Sequence, residues 1–533
     1  MSETMKKITA AVLTAVMTLS LGACGMIERN DPDPEETAVI GQGSESGQTL
    51  ADSYAADDVF SVNCSVSGGY NPLSTTNTTN LMFLPLVYDT VFVVDEEFNV
   101  SSEIVTSVET DDYKWWVFKV DTGIVFHDGS NLTALDVAYS IQHAMSSKQY
   151  RDRLSVIYGC SAMDDETFAV STASPRSQLP ALLNIPVIKY GSMNEEWQPG
   201  TGPYMFDENM EKLVAFPQRH SAAPLPVDTI YLKDYSNLED LVYAYKDSLI
   251  DIVVNDPTGM LNIGFGTASE VRYCNTTNMH YLGFNSSSTF FRYTVHRYGV
   301  TFAVDRERIV SKALGGCASA SSIPISPASP LYNEEYGSYY SYSVQKAKNC
   351  FSNANVKDYD EDGFLEYMVT GIPLETEINF VVCADSSAKL EAATIVRENL
   401  EDLGFKVNLR TLTWDDYIEA LCAGDFDMYY GEVKLTADFD LTALLAASGS
   451  ANYAGILDEG YEQRISEYLG VSDADRAEKA SALYKYIIET APIIPICFEK
   501  RQILTHRGVV TGISATQYNV FNDIGNWTIN TKD

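Results

Sequence analysis

Short strand-like runs alternate with amphipathic helical segments along most of this chain, and this alternation restricts the fold more than any other feature. The C-terminal half shows it most clearly, with short loops between the elements. The elements predicted there are a strand over 378–383, a helix over 388–403, a strand over 406–412, a helix over 414–423 and a strand over 426–431. Strands joined through helices pair in parallel and need cover on both faces. The chain is therefore predicted to have an α/β fold.

Length, composition and charge exclude several classes of protein. The chain has 533 residues, too many for one small core, and its 45% hydrophobic residues are enough for a globular protein. Acidic residues outnumber basic ones by 73 to 36, which gives a formal net charge of -37. Such a charge repels phosphate backbones and indicates a well-solvated surface. We expect no binding to nucleic acid.

The N-terminus has the pattern of an export signal. Lys6 and Lys7 precede an apolar run over 8–21, which has the length of a secretory core rather than of a membrane span. Small residues then lead to Cys24, as in the lipobox of bacterial lipoproteins, so 1–23 is interpreted as a signal peptide and Cys24 as the lipidated residue. An ordinary signal peptide with an incidental cysteine is the alternative, and Met5 could equally be the start.

The segment after Cys24 is acidic and rich in glycine, serine and proline. Such a stretch, over 24–55, cannot bury enough apolar surface to fold. It is interpreted as a flexible tether between a membrane anchor and a globular body. The predicted location is therefore outside the cytoplasm, on the cell membrane through the N-terminal lipid.

No motif points to an enzyme, a cofactor or a metal centre. The other eight cysteines include no Cys-x-x-Cys pair, the six histidines include no His-x-x-x-His pair, and no nucleotide loop or nucleophile elbow occurs. One or more disulfides are possible in an exported protein. The acidic run over 358–363 is similar to the start of a calcium loop, but its twelfth position is Val369 instead of glutamate.

Five motifs, in order, resemble one protein family. They are Tyr-Asn-Pro-Leu at 70–73, Phe-His-Asp-Gly at 126–129, Gly-Thr-Gly-Pro-Tyr at 200–204, Tyr-Leu-Gly-Phe-Asn at 281–285 and Ala-Val-Asp-Arg-Glu at 303–307. Together they resemble the extracellular solute-binding proteins of family 5, the oligopeptide, dipeptide and nickel cluster.

The resemblance implies a periplasmic-binding-protein type II-like fold with two lobes and an extra inserted domain, three domains in all. The lobes would close by a hinge on a ligand and then dock on an ABC permease. We expect a monomer. The implied ranges are 56–88, 200–286 and 499–533 for domain I, 89–199 for domain II, and 287–498 for domain III.

The family also implies a ligand site in domain III. Asp438 and Phe439 match a short segment in which an aspartate anchors the α-amino group of a peptide. The alternative is that Asp438 or Asp440 caps a helix over 441–447. Leu435 stands where peptide binders often have tryptophan, and Glu432 and Lys434 could form an ion pair that selects a zwitterion or another polar solute.

Four aromatic and polar residues are weaker candidates for the same cleft. Tyr70, Asn71, Tyr88 and Tyr453 match positions where the family lines its cleft, and a tyrosine ring offers contact area at low entropic cost. Each could instead belong to the core or to the outer surface.

These observations predict a lipid-anchored substrate-binding protein of an ABC importer, with peptides as ligands. A metal chelate, haem or an oligosaccharide is the alternative on the same scaffold. A surface peptide hydrolase or chaperone is a further alternative from another class.

Overall fold

The computed structural model describes residues 58–195, 197–257, 263–264, 266 and 268–531. The predicted signal peptide, the lipidation site Cys24 and the whole predicted tether lie outside the described residues. Within them, no helix is both long and apolar enough to cross a membrane. The eight cysteines described there are free thiols.

The strands are listed first because they define the frame of both lobes. They are Ser61–Cys64 (β1), Val93–Val94 (β2), Val100–Ser101 (β3), Val105–Thr110 (β4), Trp115–Val120 (β5), Ile157–Ala162 (β6), Thr167–Thr172 (β7), Tyr204–Phe206 (β8), Lys212–Ala215 (β9), Thr229–Asp234 (β10), Ile252–Asn255 (β11), Ser269–Phe284 (β12), Ala318–Ala320 (β13), Glu366–Val369 (β14), Ile372–Glu375 (β15), Glu377–Cys383 (β16), Lys406–Leu412 (β17), Met428–Lys434 (β18), Ile493–His506 (β19), Val510–Thr511 (β20) and Thr528–Ile529 (β21).

The α-helices connect these strands or cover their faces. They are Thr78–Phe83 (α1), Ala134–Ala144 (α2), Leu179–Leu182 (α3), Leu238–Lys246 (α4), Thr294–Ala303 (α5), Arg306–Arg308 (α6), Glu334–Gly337 (α7), Val344–Asn353 (α8), Ser387–Glu401 (α9), Trp414–Ala423 (α10), Thr442–Leu445 (α11), Glu459–Gly470 (α12) and Asp473–Thr490 (α13).

One large sheet runs through the molecule in the order β17-β16-β18-β12-β19-β11-β1-β10-β9-β8, with β13 also paired to β19. Its centre is the antiparallel pair of the two longest strands, β12 and β19. β18 pairs with the second half of β12, and β11 pairs with the second half of β19. The β12–β19 pair therefore links domain III to domain I. Its register shifts between Asn275 and Met279.

The predicted strand-helix alternation in the C-terminal half is confirmed. β16 pairs in parallel with both β17 and β18, and α9 and α10 connect them. The Thr413 side chain accepts a hydrogen bond from the Asp416 N–H at the start of α10, and Gly424 ends that helix with a positive φ of 70°. The carboxyl ends of these three strands lie at one edge of domain III, the usual position of a ligand site in such a sheet.

A separate four-stranded sheet, in the order β4-β5-β7-β6, is built entirely from residues of the domain II range. Helix α2 packs on it and begins with the predicted capping box between Thr133 and Asp136. The predicted domain boundaries themselves remain a prediction, and the domain names below refer to those ranges.

The Gly-Thr-Gly-Pro-Tyr turn has glycines because the chain crosses another segment closely there. A Cβ on Gly200 would lie 2.1 Å from the carbonyl oxygen of Val87, and one on Gly202 would lie 2.6 Å from that of Leu86. The turn therefore fastens the start of the second domain I segment to the end of the first.

The two faces of the domain III sheet are covered by different helices, because successive side chains of a strand point to opposite faces. Tyr281 and Tyr429 lie on the face packed by α10, α12 and α13, whereas Leu282 and Tyr430 lie on the face packed by α5, α8 and α9. The tyrosine face also receives Phe98 and Ala181 from domain II. The two lobes are therefore in apolar contact.

Gly283 in β12 tests this packing. A Cβ there would lie 2.2 Å from the ring of Tyr429, so we expect Gly283→Val to lower the free energy of unfolding by about 2 kcal/mol. Gly159→Val in β6 is the matched control, because its Cβ would meet only Ser171 Oγ at 3.4 Å. Urea unfolding measures both, and equal midpoints for the two variants would contradict the packing described.

Candidate ligand-binding cleft

The candidate site lies where domain II and the C-terminal segment meet the loop that follows β18. Backbone contacts hold this boundary: the Ser177 N–H donates to the Leu469 carbonyl at 2.7 Å, and Pro175 packs on Gly470. We call the group of side chains next to it the interlobe site. Its members are Arg153 and Arg176 from domain II, Lys434 and Asp438 from domain III, and Arg501, Gln517 and Tyr518 from the C-terminal segment.

Asp438, the predicted anchor for an α-amino group, is engaged in an ion pair. Arg176 Nη1 lies 2.9 Å from Asp438 Oδ2 and 2.8 Å from Asp440 Oδ2. The Asp438 side chain has no solvent exposure, and Thr436 Oγ1 donates to its second oxygen at 2.5 Å. Burial opposes the charge of Arg176, but the two carboxylates outweigh this and raise its pKa. Asp438 is thus near the cleft, with its charge already balanced across the lobes.

The residues on either side of Asp438 fix the loop. Phe439 is buried with a positive φ of 54°, and its ring packs edge-on against Phe98 of domain II at 5.0 Å. Asp440 Oδ1 accepts hydrogen bonds from the N–H and Oγ1 of Thr442 at the start of α11. The N-cap position of α11 is nevertheless Leu441, and no side chain caps the helix there, so neither aspartate is its N-cap. Asp438 and Phe439 connect the two lobes.

Lys434, at the end of β18, lies in a cationic neighbourhood. The Lys434 side chain is exposed to solvent. Partial desolvation by the groups around it, together with the guanidinium groups of Arg501 and Arg153, lowers the pKa of Lys434 to about 7. The Arg153 guanidinium stacks 5.0 Å from the centre of the Tyr150 ring and 5.7 Å from that of Tyr518.

The proposed ion pair between Glu432 and Lys434 is wrong. Glu432 pairs instead with Lys389, at the N-terminus of α9. In the register of the two strands, His280 lies opposite Glu432, and Asn278 lies opposite Lys434 at the strand end.

A second polar network lies beside Glu432. His280 is buried and contacts Tyr430 Oη and Glu499 Oε1, both at 2.8 Å. Burial would raise the pKa of Glu499, but His280 and the Asn278 amide outweigh it and hold this pKa at about 2. His280, Glu432 and Glu499 bring ligand atoms within 4.8 Å of one another. Each of the three also has a side-chain partner in the protein.

The prediction that Tyr88 lines the cleft is wrong. Its side chain is 1% exposed in the core of domains I and II, and its hydroxyl donates to the Gln198 carbonyl at 3.0 Å. The family resemblance gives only the position of Tyr88 along the chain. That position does not tell whether the side chain lies in the cleft or in the core.

Tyr70 and Asn71 support the start of domain I. The Tyr70 ring stacks on Phe206 at 5.2 Å, and the Asn71 amide donates to the Met193 carbonyl at 3.1 Å. Tyr453 packs edge-on against Tyr429 within domain III, and in the described part of the chain its buried hydroxyl has no hydrogen-bond partner. Contact of these three residues with a ligand stays a prediction.

The acidic loop includes a fourth carboxylate, from Glu366. Asp358, Asp360 and Asp362 come together with Glu366, the ninth position, and their oxygens lie within 4.8 Å of one another. Val369, which weakened the pattern, lies further along in β14.

Arg176, Arg153, Arg501, Gln517 and Tyr518 were missed by the sequence analysis. Arg176 is 262 positions from Asp438, and no local pattern links residues that far apart. The one available signal was the scarcity of basic residues, 36 in 533, which makes several arginines in one place informative once a fold is known.

The amino-acid sequence is similar to those of known solute-binding proteins. Residues 99–454 match the family model for bacterial extracellular solute-binding proteins, family 5. The oligopeptide-binding protein AppA of Bacillus subtilis is 21% identical over 526 residues, covering 91% of this chain and 92% of AppA. A haem-binding protein A of Haemophilus influenzae is 22% identical, covering 73% and 76% of the two chains.

Solved structures share the fold. The structure of B. subtilis AppA in complex with a nonapeptide has a TM-score of 0.62 at 19% identity, covering 89% of this chain and 100% of AppA. A nickel ABC transporter protein of Bacillus halodurans has a TM-score of 0.72 at 18% identity, covering 89% and 99%. The predicted type II-like fold with several domains is thereby confirmed. The chain belongs to the bacterial extracellular solute-binding proteins of family 5, whose members bind solutes for ABC transporters outside the cytoplasm.

Proposed function

We propose that this protein is a lipid-anchored receptor that captures peptides outside the cell membrane and delivers them to an ABC permease. The observation that carries the proposal is the contact of Arg176 in domain II with Asp438 and Asp440 in domain III, at the carboxyl edge of the domain III strands. A charged site between two lobes gives a ligand contacts that exist only in the closed form, and such contacts are what drive closure.

Peptides are favoured over other ligands by the extent of the likeness to AppA. The similarity to this oligopeptide-binding protein runs along nearly the whole of both chains, so the lobes and the cleft between them are included. The interlobe site offers hydrogen-bonding and charged groups together with the aromatic ring of Tyr518, which suits a polar ligand with a variable apolar part.

The lipid anchor is supported by the first 55 residues. A basic start, an apolar run and small residues before Cys24 are followed by an acidic, glycine-rich segment. A tether of this composition would hold the folded body within reach of a permease.

Native mass spectrometry of the body from residue 58 onward, purified without refolding, tests the ligand class. We expect a heterogeneous set of bound masses that match peptides and do not change on incubation. A single non-peptide mass would contradict the peptide proposal, and newly formed fragments would contradict a receptor without enzymatic activity.

Arg176→Met tests the role of the interlobe ion pair. The variant leaves the buried Asp438 carboxylate without a cation, and breaking such a pair costs about 3–5 kcal/mol. We expect the ligand-free variant to be more open, with a larger radius of gyration in X-ray scattering. Arg410→Met removes a more exposed pair with Asp425 and should leave the radius unchanged. Identical scattering from both variants would exclude the ion pair as a closing contact.

Cys24→Ser tests the anchor. Without the thiol that accepts the lipid, the protein should move from the membrane fraction to the soluble fraction of cells. Ser20→Ala, upstream in the same signal, is the control and should stay with membranes. Retention of the Cys24 variant in membranes after an alkaline wash would show that another feature anchors the chain.

A further inference from the structure

The interlobe site gathers positive charge in a strongly negative protein. Arg153, Lys434 and Arg501 come from three separate segments, and the two guanidinium groups act on the same lysine. Since the chain has a net charge of -37, three cations at one cleft are not a consequence of composition. The described structure shows no acidic side chain in an ion pair with any of the three.

Three neighbouring carboxylates are already engaged within the protein. Glu432 pairs with Lys389, Glu499 contacts His280, and Asp438 is held by Arg176. Lys434 and Arg501 are exposed, so their charges can face a bound anion without displacing any of these acids.

Two hydrogen-bond donors at this site also lack acceptors within the described residues. Arg153 Nε and Gln517 Nε2 are buried and have no partner there. The Gln517 amide cannot simply be reversed, because its Oε1 accepts from the backbone N–H of Thr277 at 3.1 Å. The unused group is thus an N–H donor, and a buried donor without an acceptor costs about 1–3 kcal/mol.

These donors are held in place. The Arg153 guanidinium lies over the rings of Tyr150 and Tyr518, and Arg501 Nη1 donates to the Gln517 carbonyl at 3.3 Å. The Thr277 hydroxyl bonds the Leu435 carbonyl at 2.7 Å, which ties the end of β18 to the part of β12 where the register shifts. A rigid set of donors and cations binds an anion without a large loss of side-chain entropy.

We propose that the interlobe site binds its ligand through a carboxylate group, held by Lys434, Arg153 and Arg501 with the Gln517 amide, while Asp438 remains paired with Arg176. This inference rests on the proposed peptide-receptor function and names the group that is recognised. A carboxylate has acceptors for several N–H donors at once, and its charge relieves the repulsion among the three cations. The carboxylate can be the C-terminus of a peptide or an acidic side chain.

The proposal predicts that the C-terminal carboxylate of a peptide contributes more to its affinity than the α-amino group does. Random pentapeptide pools are prepared with free ends, with an amidated C-terminus and with an acetylated N-terminus, each with and without aspartate and glutamate. Their affinity for the unloaded protein is measured by calorimetry. We expect acetylation to change the dissociation constant less than threefold, and amidation of the acid-free pool to raise it about tenfold or more. A smaller effect of amidation in the acidic pool would assign the site to side chains as well.

Variants locate the effect. Lys434→Met and Arg501→Gln should each raise the dissociation constant for the free pool about tenfold and abolish the penalty of amidation. Lys485→Met and Arg410→Gln are matched controls that remove cations paired elsewhere on the surface, and they should bind as the wild type does. Thermal unfolding checks folding, and Lys434→Met should be as stable as the wild type because Lys434 is exposed and is in no ion pair within the described residues.

The pH dependence provides an independent readout. The charged groups that face Lys434 are Arg501 on β19 and Arg153 of domain II, and its pKa is about 7 without an anion. Affinity for a carboxylate should therefore fall as the pH rises from 6 to 9, about tenfold for each unit by which the anion raises that pKa. The decline should be absent in Lys434→Met.

The outcomes separate the inference from the function on which it rests. Peptides that bind regardless of amidation, or that lose affinity on acetylation, overturn the carboxylate assignment and leave the peptide receptor intact. Binding of citrate that depends on Lys434, with no binding of any peptide pool, supports the assignment and overturns the peptide proposal. Failure of both probes overturns both.

Discussion

The antiparallel pairing of β12 with β19 is the constraint on which the rest of the structure depends. These strands are the longest in the described chain, and they carry one sheet from domain I into domain III. The end of β18 is tied to β12 at Thr277, and β19 brings Arg501 to the same place. Without this pairing, residues from three distant segments would not share a cleft.

Two roles are open to Asp438 at the cleft, and its present contacts favour one of them. Removing the cation from a buried ion pair without replacing it costs about 3–5 kcal/mol. Because Arg176 contacts both Asp438 and Asp440, a ligand amine that bound Asp438 would have to replace an arginine that a second acid also holds. Asp438 therefore stays paired with Arg176, and the ligand is recognised through its carboxylate by the cations around Lys434.

The sequence predicted the parts of the fold that have local causes. Hydrophobic periodicity and caps such as Thr133 and Thr413 were enough to predict the helices and the parallel strands between them. The family motifs predicted the type of fold. The resemblance also pointed to Asp438, which the structure places at the boundary between the lobes. Tyr88 was misplaced because burial of a tyrosine depends on what packs against it, here Gly200 from another segment.

The long-range part of the site was beyond sequence reasoning. Which acid pairs with which base depends on the three-dimensional packing of the helices on the strands. The sequence leaves open an ion pair between Glu432 and Lys434, whereas the structure pairs Glu432 with Lys389. A single chain offers no pattern that links Arg153 or Arg176 to residues more than 250 positions away. Only a three-dimensional arrangement shows that the cations outnumber the free acids at the cleft.

The most direct test of this account is a crystal structure of the protein with the ligand that it retains through purification. The account predicts a ligand carboxylate within hydrogen-bond distance of Lys434 and at least one of Arg153 and Arg501, with Arg176 still on Asp438. A ligand ammonium group on Asp438, with Arg176 displaced, would contradict it.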